Sequence, residues 1–427
     1  MNRLALILLA ACWYGAAQAQ PPAKPVEVSP QEKADLDRAL AQAGTSPLES
    51  VRVIEKHLAQ YPDSPHREEL ERRAANAALT ANDDALIVIW GERALARQPA
   101  DLQLLARVAH SLLAVESKDN AERAIRYTHR TEELIPQMKQ EGARFGMSAG
   151  EWQAQCDRAM GRALTDEARA AGYLGRRDEA LALAKRAFDT WPNAESARET
   201  ARSFDRLGKP AEAAVALADA FTIPDLFNTD AQRARDRSLL GELYRRAHGS
   251  ETGLGDLVLA AYDRNLALAK ARELRVRQSD PNAALTDPMA FTLSGVDGAK
   301  LSMADLKGKV LVLDLWATWC APCREQHPLY EQVKQRFRDN PDVVFLSIDA
   351  DADHQAVKPF LQEAGWQGPV YFEDGLTRVL AVESLPTTIL IDRRGQVFSR
   401  MNGFVKQLFV DALTDRIRGA LATAPRP

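Results

Sequence analysis

Cysteine is scarce in this 427-residue chain, with four residues at Cys12, Cys156, Cys320 and Cys323. Stability therefore rests on packing rather than on a framework of bridges, and a chain of this length can bury enough surface for that. Charge of one sign is also missing: 55 Lys and Arg stand against 59 Asp and Glu, a formal net charge of −4. That balance lacks the basic footprint of a nucleic-acid binder, so no nucleic acid is expected as a partner. Basic pairs such as Arg176-Arg177 are followed at once by Asp178-Glu179 and read as solvated helix faces. No phosphate loop, dinucleotide fingerprint or metal-ligand cluster occurs. No metal or cofactor is expected.

Long hydrophobic runs are lacking too. A membrane span needs about 20 apolar residues, whereas the N-terminal run stops after Leu4 to Ala11. It follows the basic start Met1-Asn2-Arg3 and precedes Ala17-Gln18-Ala19, the small-x-small pattern of signal peptidase. Residues 1–19 are read as a signal peptide cleaved after Ala19, which places the mature protein in the periplasm. Leu9-Ala10-Ala11-Cys12 also matches a lipobox, so a lipid anchor through Cys12 is the alternative. Export leaves Cys156 as an odd cysteine. It is expected to be a small buried side chain on a helix around Trp152 to Arg162, the alternative being an intermolecular or regulatory thiol.

What is present is a short run, Trp316-Ala317-Thr318-Trp319-Cys320-Ala321-Pro322-Cys323, directly after the apolar stretch Val310 to Leu315. It reads as a dithiol at a strand-to-helix junction. Unpaired N–H groups and a partial positive charge at a helix N-terminus favour the thiolate that attacks disulfides. A zinc site would need a second ligand pair, and only His327 is near. A structural bridge closing so small a loop would restrain the unfolded chain little.

Four segments resemble the thioredoxin superfamily and, within it, the TlpA/ResA-like thiol-disulfide oxidoreductases. They are Phe291-Thr292-Leu293 with Asp297-Gly298, the run Leu306 to Trp316, the Cys-Ala-Pro-Cys site, and Leu385 to Asp392 with Leu385-Pro386-Thr387-Thr388. The resemblance covers roughly the last third of the chain. It implies a cis peptide before Pro386, with Pro386 facing the dithiol and Leu385, Pro386 and Trp319 forming the substrate site. Trp316 and Trp319 are expected to pack around the dithiol. The resemblance also implies protein thiol or disulfide substrates and a thiol electron-donor protein. Proline between the cysteines is typical of the reducing members. Peroxiredoxin chemistry is remote, because the approach to a peroxidatic cysteine is absent.

The chain departs from that branch at one position. Members usually carry a glutamate three residues after the second cysteine, where this chain has Gln326, while Asp314 stands six residues before Cys320 on the strand. Cys320 is expected to attack and Cys323 to resolve. Resolution requires Cys323 to lose a proton, and a desolvated Asp314 carboxylate with a raised pKa can accept it. The alternative for Asp314 is a strand aspartate held by local hydrogen bonds. Glu325 is expected to be a solvated helix residue.

Short apolar strands alternating with amphipathic stretches support an α/β domain on residues 289–427. Strands are predicted at Val310–Leu315, Val343–Ile348, Val370–Phe372, Thr388–Ile391 and Gln396–Ser399. Helices are predicted near 320–338, where Pro328 should introduce a kink, 354–364 and 406–422. Upstream, residues 31–277 are rich in alanine, leucine, arginine and glutamate and read as all helical. Pro62, Pro99 and Pro136, each 37 apart, should end comparable helices, as should Pro192 and Pro224. Leu174-Gly175 with Ala180, Ala187 and Pro192, echoed by Leu207-Gly208 with Ala213 and Ala220, resembles divergent tetratricopeptide repeats (TPR). Such a stack implies a groove for a protein partner.

Residues 20–30 are expected to be a disordered lead-in and 278–288 a linker. The fold class is multidomain, all-α TPR-like repeats followed by an α/β thioredoxin-like domain. The function read from this is an exported protein disulfide reductase. Two alternatives stay open: an oxidase or isomerase on the same scaffold, or a binding and assembly module whose dithiol is regulatory.

Overall fold

The structure, a computed structural model, describes residues 29–142, 147, 149–225 and 228–424. The signal segment, its cleavage site and Cys12 lie outside the described residues. The chain divides into two compact units, residues 1–97 and 98–427.

In the first unit, α1 (Pro30–Ala43), α2 (Pro47–Gln60), α3 (Arg67–Ala81) and α4 (Asp84–Arg97) pack each against the next. Ser29 and Ser46 accept hydrogen bonds from the first turns of α1 and α2, and a proline with its preset φ follows each cap. Ile54, Ala74, Ala78, Ile87 and Trp90 form the interior.

The second unit begins with eight helices: α5 (Leu102–Leu112), α6 (Lys118–Glu141), α7 (Ala149–Tyr173), α8 (Arg177–Thr190), α9 (Ala194–Arg206), α10 (Pro210–Thr222), α11 (Asp230–His248) and α12 (Leu254–Ser279). Neighbours pack in sequence through α11, and α7 also meets α9 while α10 meets α12, so hairpins stack on one another. Buried alanines let the backbones approach: Ala168, Ala171, Ala180, Ala184 and Ala187 fill the α7–α8 interface. Gly175 and Gly208, with φ of 79° and 72°, make the turns of the two hairpins the sequence singled out. Pro62, Pro99, Pro192 and Pro224 follow helix ends as predicted.

Pro136 does not end a helix. It lies inside α6, which runs on to Glu141. An internal proline costs about 3 kcal/mol, but Ile135 beside it is buried against Trp152 and Cys156 of α7, with Met138 packed alongside. Continuing the helix keeps that face in the core.

The α/β domain is led by a hairpin, β1 (Thr292–Ser294) and β2 (Lys300–Ser302). There follow β3 (Val310–Trp316), α13 (Ala321–Arg336), β4 (Val343–Asp349), α14 (His354–Ala364), β5 (Val370–Phe372), α15 (Leu376–Val379), β6 (Thr387–Ile391), β7 (Val397–Asn402) and α16 (Phe409–Leu421). The sheet order is β5-β4-β3-β6-β7, with β3 parallel to β4 and antiparallel to β6. All seven residues of β3 are buried, as a central strand covered on both faces requires. Leu311, Leu313 and Leu315 pack with Phe291, Leu293 and Ile389, whereas Val310 and Val312 face Tyr330 of α13 and Phe409 of α16. By alternation Asp314 belongs to the α13 face. α13 continues through Pro328.

The segment after α12 is held firmly by one buried side chain. Asn282 donates to the carbonyls of Thr292 (2.9 Å) and Asp374 (3.2 Å) and accepts from the Thr292 N–H at 3.1 Å. Asn282→Ala leaves these backbone groups unpaired and is expected to destabilise the α/β domain by about 2 kcal/mol. A lowered urea midpoint for the near-UV signal of the tryptophans near the dithiol checks this.

Candidate active site

β3 delivers the chain from the middle of the sheet to the N-terminus of α13, where Cys320 is the N-cap. Its Sγ accepts a hydrogen bond from the Cys323 N–H at 3.2 Å. Cys320 and Cys323 are joined as a disulfide, and each is 3% exposed. Pro322 sits in the first helical turn, where no intrahelical N–H is needed.

The pair is walled by apolar rings. Trp316 is buried with both cysteines, Val357 and Val370, its ring 4.7 Å from Trp366 and 5.6 Å from Phe360. Its Nε1 donates to Ser347 Oγ at 2.8 Å. His327 stacks on Trp366 at 3.6 Å, and burial lowers its pKa, favouring the neutral ring. Trp319 departs from the expectation that it packs around the cysteines: it is 65% exposed. The turn before Cys320 directs the two tryptophans oppositely, Trp316 inward at the strand end and Trp319 outward beside the dithiol. Leu385 packs partly against the Trp316 cluster, and the Leu385–Pro386 bond is cis with Pro386 buried. Glu325 is exposed as expected.

Beneath this surface lies a buried polar group. Asp314, 3% exposed, pairs across the sheet with Ser347 and Thr388. Gln326, one turn after Cys323 on α13, donates from Nε2 to Asp314 Oδ1 at 2.8 Å and reaches Thr388 Oγ1 at 3.3 Å. Desolvation pushes the Asp314 carboxyl up to about 7, against the Gln326 hydrogen bond, which lowers it. The two positions that the sequence singled out thus touch each other.

One element escaped the sequence. Asp351 accepts from the Thr318 N–H (2.6 Å) and hydroxyl (2.9 Å), while Arg324 donates to the Thr318 carbonyl at 2.6 Å, fixing the turn that carries Cys320. Behind it, burial and contact with Asp351 push Asp349 up to about 9. The only signal was a run of acids, Asp349, Asp351 and Asp353, at the end of an apolar strand.

Asp314 makes stability depend on pH. Its folded pKa lies above the ordinary 3.8, so its contribution is full below about 3.8 and lost as pH rises through about 7. Between those limits, the oxidised wild type should lose about 1.4 kcal/mol per pH unit relative to Asp314→Asn, the two curves running parallel above pH 8. Urea unfolding of both proteins from pH 5 to 8 measures it; parallel curves throughout would remove the buried titration.

A family model described as Redoxin matches residues 281–412. Thiol-disulfide oxidoreductase ResA of Bacillus thuringiensis strain Al Hakam is 31% identical over 137 residues, which cover 32% of this chain and 74% of that protein. Thioredoxin-like protein YneN of Bacillus subtilis strain 168 is 32% identical over 109 residues, 25% of this chain and 64% of that protein. A solved thiol:disulfide interchange protein of the thioredoxin family, from Chlorobium tepidum TLS, is 28% identical and covers 31% of this chain and 93% of its own, with a TM-score of 0.27. Through the α/β domain these matches cover, the chain belongs to the ResA-like thiol-disulfide oxidoreductases of the thioredoxin fold.

Proposed function

We propose that the protein is an exported disulfide reductase in which Cys320 attacks a protein disulfide, Cys323 resolves the mixed disulfide, and Asp314 takes the proton that Cys323 releases. The observation that carries this is the buried Asp314 carboxyl, poised near 7 and held by Gln326 one turn from Cys323. In the first step the Cys320 thiolate, favoured by the α13 N-terminus, displaces one sulfur of the substrate. In the second, Cys323 loses its proton to Asp314 and attacks Cys320, so the substrate leaves with both electrons and the Cys320–Cys323 disulfide forms. A thiol donor protein restores the dithiol. Gln326, an amide, orients the carboxylate and takes no proton.

Leu385, Pro386 and the exposed Trp319 form the edge against which the substrate chain lies. Export rests on the N-terminal basic, apolar and small-x-small order; among the described residues, no helix is long and apolar enough to cross a membrane. The hairpins α7–α8 and α9–α10 serve as TPR-like units that dock the thiol partner. Beside them is a cavity of about 940 Å³ in which Arg198 is paired with Asp236, and whose lining has more arginines, among them Arg158, Arg162, Arg235 and Arg272 around Trp191, than acids, which include Glu195, Asp205 and Asp225. Arg158 and Arg272 lie 4.9 and 4.3 Å from the Trp191 ring. That charge suits an acidic segment of the partner protein.

The reduction potential of the Cys320/Cys323 couple tests direction. A value around roughly −270 mV fits a reductase, and one near roughly −120 mV makes the protein an oxidase. Asp314→Asn should slow release of the mixed disulfide about a hundredfold while sparing the first attack, and Gln326→Glu in that background should restore part of the rate. An unchanged release rate in stopped-flow removes Asp314 from the cycle. Arg158→Glu with Arg272→Glu should slow exchange with the protein partner but not with a small aromatic disulfide; equal effects on both would refute docking at this cavity.

A further inference from the structure

Two clusters of histidine and carboxylate flank neighbouring positions of α7, and they differ in one respect. In the first, His110, Asp166 and Glu195 surround Arg169, whose guanidinium lies 2.9 Å from Glu195 and 3.7 Å from Asp166. The chain supplies its own cation there. In the second, His129 and Glu132 lie one turn apart on α6 and meet Glu167 of α7. His129 Nε2 is 3.0 Å from Glu167 Oε1. Among the described ion pairs, Arg186 is the one arginine in contact with this group, and it touches Glu132 alone, at 3.6 Å.

Glu167 is 7% exposed, and its Oε2 is buried with no hydrogen-bond partner. Glu132 and Glu167 bring two carboxyl groups together between α6 and α7, and like charges so placed repel unless a cation joins them. One ligand atom from each residue lies within 4.8 Å of the other two. Three ligands on bonds of about 2 Å sit roughly 3.3 Å apart, a contraction within reach of side-chain rotation. His129 is on the solvent side and leaves a route for entry.

We propose that His129, Glu132 and Glu167 bind a divalent transition-metal ion between α6 and α7. One imidazole and two carboxylates with an open fourth position suit zinc, and they neutralise its charge. The ion ties the two helices together on the side where α6 continues past Pro136, and it stabilises the folded chain by mass action. The site stands apart from the dithiol and is independent of the direction of electron flow.

The test uses the full-length protein with Cys320–Cys323 oxidised, so that the dithiol offers no thiolates. After treatment with a chelator, the protein is titrated with zinc chloride against a chromophoric competitor. One equivalent of zinc should bind, with affinity lowered more than about tenfold in His129→Ala, the loss typical of removing even an outer partner of a metal site. His110→Ala, in the cluster that holds Arg169, should bind as the wild type does. His129 is exposed, so its replacement leaves the helices folded, as far-UV circular dichroism would verify. Failure of the oxidised wild type to bind zinc, or equal binding by His129→Ala, overturns the proposal.

Discussion

A carboxyl group removed from water holds its charge only at a cost, and the geometry of the α/β domain turns on where that cost falls. Asp314 sits in the one strand whose seven residues are all buried, between β4 and β6 and under α13. An apolar residue there would pack as well and cost less. The Gln326 amide satisfies one oxygen without adding charge, so the carboxyl stays near the midpoint of its titration at neutral pH. A proton can then move onto it or off it with little free-energy change, the condition for efficient acid-base work.

The same strand sets the position of the sulfurs. β3 ends at Trp316, whose ring is locked among Trp366, Phe360 and Ser347, and the next turn is gripped at Thr318 by Asp351 and Arg324. The chain therefore enters α13 with little freedom left, which presents Cys320 at the helix N-terminus where the macrodipole favours a thiolate. In the cycle proposed above, the buried acid and the helix end act on the two cysteines differently, one by accepting a proton and the other by stabilising a charge.

Much of this was legible because it rests on local pattern. The apolar run from Val310 broken by one aspartate, the Cys-x-x-Cys at its end and the alternation of strands and helices each follow from side-chain period. The same holds for the glycine turns at Gly175 and Gly208. What was not legible depends on direction or on distant partners. Trp316 and Trp319 are three residues apart, but a tight turn between strand and helix sends one into the core and the other into solvent. Pro136 looked like Pro62 and Pro99, yet the packing of Ile135 on α7 outweighs the lost hydrogen bond. The grip of Asp351 on Thr318 joins residues 33 apart and leaves no local trace beyond a cluster of acids.

The contact between Asp314 and Gln326 also explains why a glutamate and an aspartate would exclude each other here. Their polar atoms stand 2.8 Å apart between two buried side chains. Two ionised carboxylates at that separation repel strongly, so the pair would hold one shared proton and titrate in two widely spaced steps belonging to neither residue alone. One step would fall well below neutrality and the other well above, leaving no group poised near 7 to accept a proton from Cys323. An amide at either position removes that coupling and keeps one carboxyl near the useful range. The glutamate expected from the resemblance and the aspartate found on β3 are therefore alternatives, and this chain pairs its aspartate with an uncharged amide.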